Sequence, residues 1–209
     1  MPLPARTRVL QAMSPNVWDT SNQILYDLCQ THPKHTSVDV IIAKVLLIGR
    51  VYAAAIERRR NKEEANKNEN FYVDSVAPSI LNSDIDSWLQ ESRNVIGGND
   101  ARLEVLTSVH ARVTSLFNFI TNLDKRSLAS KYLHFHVPQL FYIYDSRAVK
   151  GIREFSDVLP RASRAIGNGD NEYRKFTQKA QALVSLCAQQ YDLVMSPRQL
   201  DNLLLGVSQ

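Results

Sequence analysis

Residues 38–60, VDVIIAKVLLIGRVYAAAIERRR, hold the longest apolar run of the chain. Whether that run crosses a membrane or fills a protein core decides the fold. Asp39, Lys44 and Arg50 interrupt it, and a bilayer interior tolerates such charges poorly. The run therefore reads as a buried helix of a soluble protein, with no membrane partner. From Val40 to Ile56 it is apolar on nearly every face, the mark of a helix enclosed by other helices. Ser37 stands where a helix cap belongs, and Arg58, Arg59 and Arg60 suit the negative end of the helix dipole. Arg50, inside the apolar stretch, is either a structural ion-pair member or an anion-binding group lining a cleft.

The flanking segments repeat the helical pattern. Residues 14–30 place Val17, Ile24, Leu25 and Leu28 at helical spacing, and THPKH (31–35) ends that helix. The polar run 61–70 reads as a linker or surface loop. Further helices are expected around 78–92, over 101–123, from Ser127 to His136, and over 172–195. The last begins at Ser196, with Pro197 in its first turn. LFYIY (140–144) is the one β-prone run and has no second strand to pair with. The expected fold is all-α: about seven helices around a central buried helix at roughly 38–60, in one domain spanning 1–209. Sub-lobes 1–95 and 96–209 are compatible with that layout.

Composition narrows the class further. The chain has 209 residues, 44% of them hydrophobic, with only 7 Gly and 8 Pro, which favours helices over a turn-rich sandwich. Its net charge of +4 is mildly basic, compatible with a polyanionic partner and far from a histone-like density. Cys29 and Cys187 each lie in a helical apolar run, as reduced core thiols do. The opening residues MPLPARTRVLQAM lack the apolar core of a signal peptide. A cytoplasmic protein is expected.

The chemistry concentrates in SKYLHFHVPQLFYIYDSRA, residues 130–148. Pro138 must end the helix that starts near Ser127. On that helix Leu128, Tyr132 and Phe135 share an apolar face with Lys131 at its border, while Ser130 and His134 are expected to point outward. A border lysine can lay its methylenes on apolar surface and hold its amine in a cleft. Asp145 falls where SRAVKGIREF begins a helix, so it reads as an N-cap, which keeps a carboxylate ionised.

A helix bearing Lys, an apolar stretch, a proline, and then Asp-Ser-Arg at the next helix start resembles the helix-hairpin-helix DNA glycosylases. That resemblance implies an all-α body that flips a base out of duplex DNA. Lys131 would be the nucleophile on the sugar C1′, and Asp145 the carboxylate that steadies the charge developing there. It also implies DNA as partner, contacted by Arg126, Ser130, His134, Tyr144 and Arg147, with no cofactor and no metal. The family's glycine-rich hairpin is replaced here by NLDKRSLAS (122–130), and the Lys-to-Asp spacing is shorter than usual. KVLLIGRVYAAAIERR, SKYLHFH and SPRQLDNLLL also look like parts of uncharacterised bacterial proteins, a likeness that carries no function.

Other groupings carry less. His134 and His136 face apart on a helix and cannot share an ion. Cys29, His32 and His35 have zinc-like spacing but no evident fourth ligand. Tyr142 and Tyr144 could stack on a base or simply pack. Arg58 to Arg60, Lys62, Lys67, Lys125 and Arg126 could form a phosphate-binding rim or a solvated face. Two classes therefore stay open: a DNA glycosylase/AP-lyase-type enzyme, and a non-enzymatic helical interaction or oligomerisation protein, such as a homo-oligomer. In the second class Lys131 would extend into solvent.

Overall fold

A computed structural model of the chain describes residues 3–58, 70–162 and 169–206. Among the described residues the fold is all-α, with ten α-helices and no strand. Helix α1 is Arg6–Met13, α2 is Asp19–Thr31 and α3 is Val38–Val51. A π-helical turn, Tyr72–Val76, runs into α4, Ala77–Leu81, and α5 is Ile85–Arg93. Then come α6, Asn99–Thr121; α7, Arg126–His136; α8, Ser146–Arg153; α9, Asn171–Tyr191; and α10, Pro197–Leu205. No described helix is long and apolar enough to cross a membrane.

The enclosed helix is α7 and not the 38–60 run. Every residue from Leu128 to His136 is buried, because α2, α3 and α6 pack around α7 and the extended stretch 141–144 closes the remaining side. Helix α3 buries only a stripe (Ile41, Lys44, Val45, Ile48 and Gly49) and leaves Leu47 and Val51 exposed.

It also stops nine residues earlier than the sequence pattern suggests. Ala53 takes a left-handed φ of 51°, and the amide of Ala54 turns back to donate to the carbonyl of Gly49 at 2.7 Å. Three consecutive alanines favour helix, so tertiary contacts override local propensity here. Arg50, in the last turn of α3, is exposed and paired with Glu57 beyond the break; Glu57 also accepts the Tyr72 hydroxyl at 2.5 Å. Arg50 is therefore a surface ion-pair member. Of the expected arginine-lysine rim, Arg59, Arg60, Lys62 and Lys67 lie outside the described residues, as does all of the 61–70 run except Asn70.

Two buried clusters form the core. The larger spans α2 to α7, with Ile48, Phe117, Tyr132 and Phe135 among its members. The other joins α1 to α8, α9 and α10 through Val9, Ile152, Leu183 and Leu203. Cys29 and Cys187 are free, buried thiols, one in each cluster.

Helix α10 starts as its sequence implies. The Ser196 hydroxyl accepts from the amide of Gln199, the Gln199 side chain accepts from the amide of Ser196, and Pro197 sits in the first turn. α10 then lies directly on α8 at Gly151. A Cβ added there would stand 2.2 Å from the carbonyl oxygen of Leu204, which is backbone and cannot swing aside. Gly151→Ala should therefore push α8 and α10 apart. The expected net loss is about 1–3 kcal/mol despite alanine's better helix propensity, read as a lower urea midpoint.

Candidate functional site

Lys131 and Asp145 meet. Lys131 is 2% exposed, and its three ammonium protons have three acceptors. The Asp145 Oδ2 lies at 2.9 Å, the Tyr52 carbonyl oxygen at 3.1 Å and the Ser127 Oγ at 3.1 Å. The Tyr52 carbonyl is available because α3 has ended one residue earlier. Ser127 lies in the first turn of α7, one turn before Lys131, and its hydroxyl is a lysine partner. Asp145 caps α8, its Oδ1 accepting from the amides of Arg147 and Ala148 at 2.9 Å each. Burial pushes its carboxyl up, but the Lys131 ammonium and those two N–H groups outweigh it and hold Asp145 below the usual carboxylate range.

Two side chains expected to face DNA place Asp145 instead. Ser130 and His134 are fully buried. They are one turn apart on α7 and both turn toward the extended stretch 141–144. The Ser130 hydroxyl donates to the Tyr144 carbonyl (3.1 Å) and accepts from the Tyr144 amide (2.9 Å). The His134 Nδ1 lies 2.8 Å from the Phe141 carbonyl oxygen, which can only accept, so Nδ1 carries the proton; Nε2 then accepts from the Tyr26 hydroxyl at 2.7 Å. Burial, with Arg198 nearby, pushes the His134 pKa down to about 4, so the ring is neutral at pH 7. An extended segment without a partner strand needs hydrogen bonds for its peptide groups. Ser130 and His134 supply them, and so fix where the segment delivers Asp145.

The other expected contacts divide. Arg147 is exposed and lines the cavity described below. Tyr144 is half-buried and packs edge-on against Tyr173 and Phe176 of α9, away from that cavity. Tyr142 gives its carbonyl to the Tyr173 hydroxyl at 2.8 Å. Arg126 spends its guanidinium on Asp170 at 2.7 Å and Asp124 at 3.1 Å. His35 is buried between Asp86 (2.6 Å) and the Tyr132 hydroxyl (2.7 Å), stacked on His136, while His32 is exposed. His35 and His136 are packing elements, and no group of three metal-ligand side chains occurs among the described residues.

The Lys131–Asp145 pair lies in the wall of a cavity of about 730 Å³, within the size range of small-molecule sites. The break after α3, the turn 122–125, the start of α8 and one face of α10 enclose it. Five basic side chains (Arg58, Lys125, Lys131, Arg147, Arg198) and three acidic ones (Asp124, Asp145, Asp201) line it, with Trp18 and Tyr52 as the aromatic surfaces. Asn122, at the position after α6, takes the left-handed φ of 55° and allows the tight turn that glycine provides elsewhere.

Asn22, Tyr52, Arg198 and Asp201 were not singled out by sequence reading. Asp201 sits in the last helix among leucines and looks like an ordinary polar-face residue. Only the S-P-R-Q-L-D spacing, which puts Arg198 and Asp201 one turn apart, hints at the pair they form at 2.6 Å. Burial pushes the Asp201 carboxyl up to about 6, against the pull of Arg198.

Residues 7–140 match the family HI_0787_N, described as an N-terminal domain. The match covers well over half of the sequence, and the chain belongs to this uncharacterised family. No curated protein and no solved structure matches the chain. Tyr52 and Lys131 fall inside the family match; Asp145, Arg198 and Asp201 lie beyond its end.

The pair should respond asymmetrically to substitution. Asp145→Asn keeps a competent helix cap but leaves a buried ammonium with only neutral acceptors, a loss of about 2–4 kcal/mol. Lys131→Met removes the buried cation and leaves Asp145 with two N–H donors and partial solvent contact, so stability should stay within about 1 kcal/mol of the parent. Denaturant unfolding of the two variants measures the difference.

Proposed function

We propose that the protein is a DNA-processing enzyme of glycosylase/AP-lyase type. Lys131 is the nucleophile and Asp145 the electrostatic partner. One observation carries the reading: an ammonium and a carboxylate from consecutive helices lie 2.9 Å apart in the wall of a cavity that can hold a nucleoside. The mostly basic lining suits a phosphate backbone, and the exposed Trp18 offers a ring surface to an extruded base. A surface lysine, as an interaction module would carry, would be solvated; Lys131 is not.

In the proposed reaction Lys131 gives up one proton, which ends on the departing base, and the Nζ lone pair attacks C1′ of the extruded nucleotide. The C1′–N bond to the base breaks with its electron pair going to the base, and the base takes up one proton. The C1′–O4′ bond then breaks with its electron pair going to O4′, which takes up a proton from the attached amine, and the adduct becomes an iminium. The fixed negative charge of Asp145 faces the cationic sugar as it forms. In the resting ion pair Asp145 holds the amine; the cationic sugar competes for Asp145, or a substrate phosphate for Lys131, and loosens that grip.

The test is incubation with a duplex containing one abasic site in the presence of borohydride, alongside base-release assays on duplexes carrying damaged or mispaired bases. Wild type should give a reduced protein–DNA adduct and Lys131→Met none. An adduct of undiminished yield in Lys131→Met, or neither adduct nor base release from wild type, would overturn the proposal.

A further inference from the structure

Two cations of the cavity stand beside the Tyr52 ring. The Lys131 Nζ is 5.7 Å from its centroid and the Arg198 guanidinium 5.8 Å. Lys131 uses every N–H it has. Arg198 uses one of the five that a guanidinium offers: its Nη1 donates to the Asp201 Oδ2 at 2.6 Å. The Nε is closed off without a partner. The Nη2 has no partner either but, unlike Nε, keeps contact with solvent, and 16% of the side chain is exposed. Both anchors of the guanidinium, Asp201 and Tyr52, line the cavity of about 730 Å³. Neither lines the smaller one of about 390 Å³ that Arg198 also borders. The open edge of Arg198 therefore faces the cavity that holds the Lys131–Asp145 pair.

Arg147 is the second underused cation. It is exposed, lines the same cavity, and its side chain has no partner among the described residues. It also stands in the first turn of α8, where the helix dipole disfavours a positive charge. The Asp201 carboxyl feels Arg198, Asp145, Lys131 and Arg147 together, so these five groups form one charge cluster. Lys131 and Asp145 neutralise each other, as do Arg198 and Asp201. Arg147 is left over, and with both carboxylates ionised the cluster lacks one negative charge.

We infer that Arg198 and Arg147 form a phosphate subsite of the cavity, beside the Lys131 amine. The Arg198 Nη2 donates to one phosphate oxygen and the Arg147 guanidinium to another, and the phosphate supplies the missing charge. Asp201 and the Tyr52 ring hold Arg198 from behind, so this donor is in place before the anion arrives. DNA as the source of the phosphate rests on the glycosylase reading; a free nucleotide presents the same group.

Thymidine and thymidine 5′-monophosphate are titrated by calorimetry into wild type, Arg147→Gln and the double variant Arg198→Gln/Asp201→Asn. The double variant exchanges the ion pair for a neutral pair and leaves no buried charge unpaired. Binding of a duplex with one abasic site is followed by fluorescence anisotropy from low to high salt for wild type, Arg147→Gln and the control Lys34→Gln. Lys34 is exposed and precedes α3, whose opposite end borders the cavity. Wild type should bind the monophosphate at least ~10-fold more tightly than thymidine, and both variants should lower that ratio at least ~3-fold. On the duplex, Arg147→Gln should flatten the slope of log K against log salt by about 0.9, one phosphate contact, and Lys34→Gln should leave it unchanged. A ratio that falls in the variants identifies a free nucleotide, and a slope flattened by Arg147→Gln alone identifies the DNA backbone; either supports the inference. The absence of both overturns it: no monophosphate preference or one that the variants retain, with a slope that Arg147→Gln leaves unchanged or that Lys34→Gln flattens equally. Arg147→Gln decides if the double variant does not fold. A failed borohydride trap with the phosphate result intact removes the amine chemistry and leaves the subsite standing; a trapped adduct without the phosphate result does the reverse.

Discussion

The ammonium of Lys131 is the constraint around which this part of the molecule is arranged. A charge taken out of water needs close and complete compensation, and Lys131 obtains it from three separate elements. The end of α3 gives a carbonyl, the first turn of α7 a hydroxyl, and the cap of α8 a carboxylate. Each acceptor has its own structural reason. The carbonyl of Tyr52 is unclaimed because the helix stops at Val51. The carboxylate of Asp145 arrives in place because Ser130 and His134 hold the backbone of the preceding stretch. The close contact at Gly151 seats α10 on α8, and α10 carries Arg198 and Asp201 into the same cavity.

Much of this was legible in the sequence, and the rest was not for identifiable reasons. Helical spacing and the scarcity of glycine and proline gave the all-α class. Pro138, Asp145 and the Ser196-Pro197 pair marked helix ends where capping chemistry is local, so those boundaries needed no tertiary information. The break after Val51 is different. Tyr-Ala-Ala-Ala is a good helical sequence, and only the surrounding contacts turn Ala53 left-handed. The orientation of Ser130 and His134 failed for a related reason. A helical wheel divides inside from outside only when one side is solvated, and α7 is enclosed on every side. His134 and Ser130 are therefore buried partners of a backbone and not contacts for a ligand.

The cavity combines residues that sequence distance hides from one another. Asn22 and Asp201 come from opposite ends of the chain, and neither stands in a motif. Their common property, one bonded end and one buried end without a partner, exists only once α2, the end of α3 and α10 are brought together. The family match stops before Asp145, so the helices that complete the cavity lie outside the matched region. The lysine and the tyrosine beneath it are inside that region, while Asp145, the carboxylate of the proposed chemistry, comes from beyond it.

The most direct test of the central claim is to locate the covalent bond. Protein incubated with a duplex bearing one abasic site is reduced with borohydride, digested and mapped by mass spectrometry. The expected result is a deoxyribose remnant on the Nζ of Lys131. A remnant on the chain's α-amino group or on a surface lysine such as Lys150, or none at all, would contradict the account.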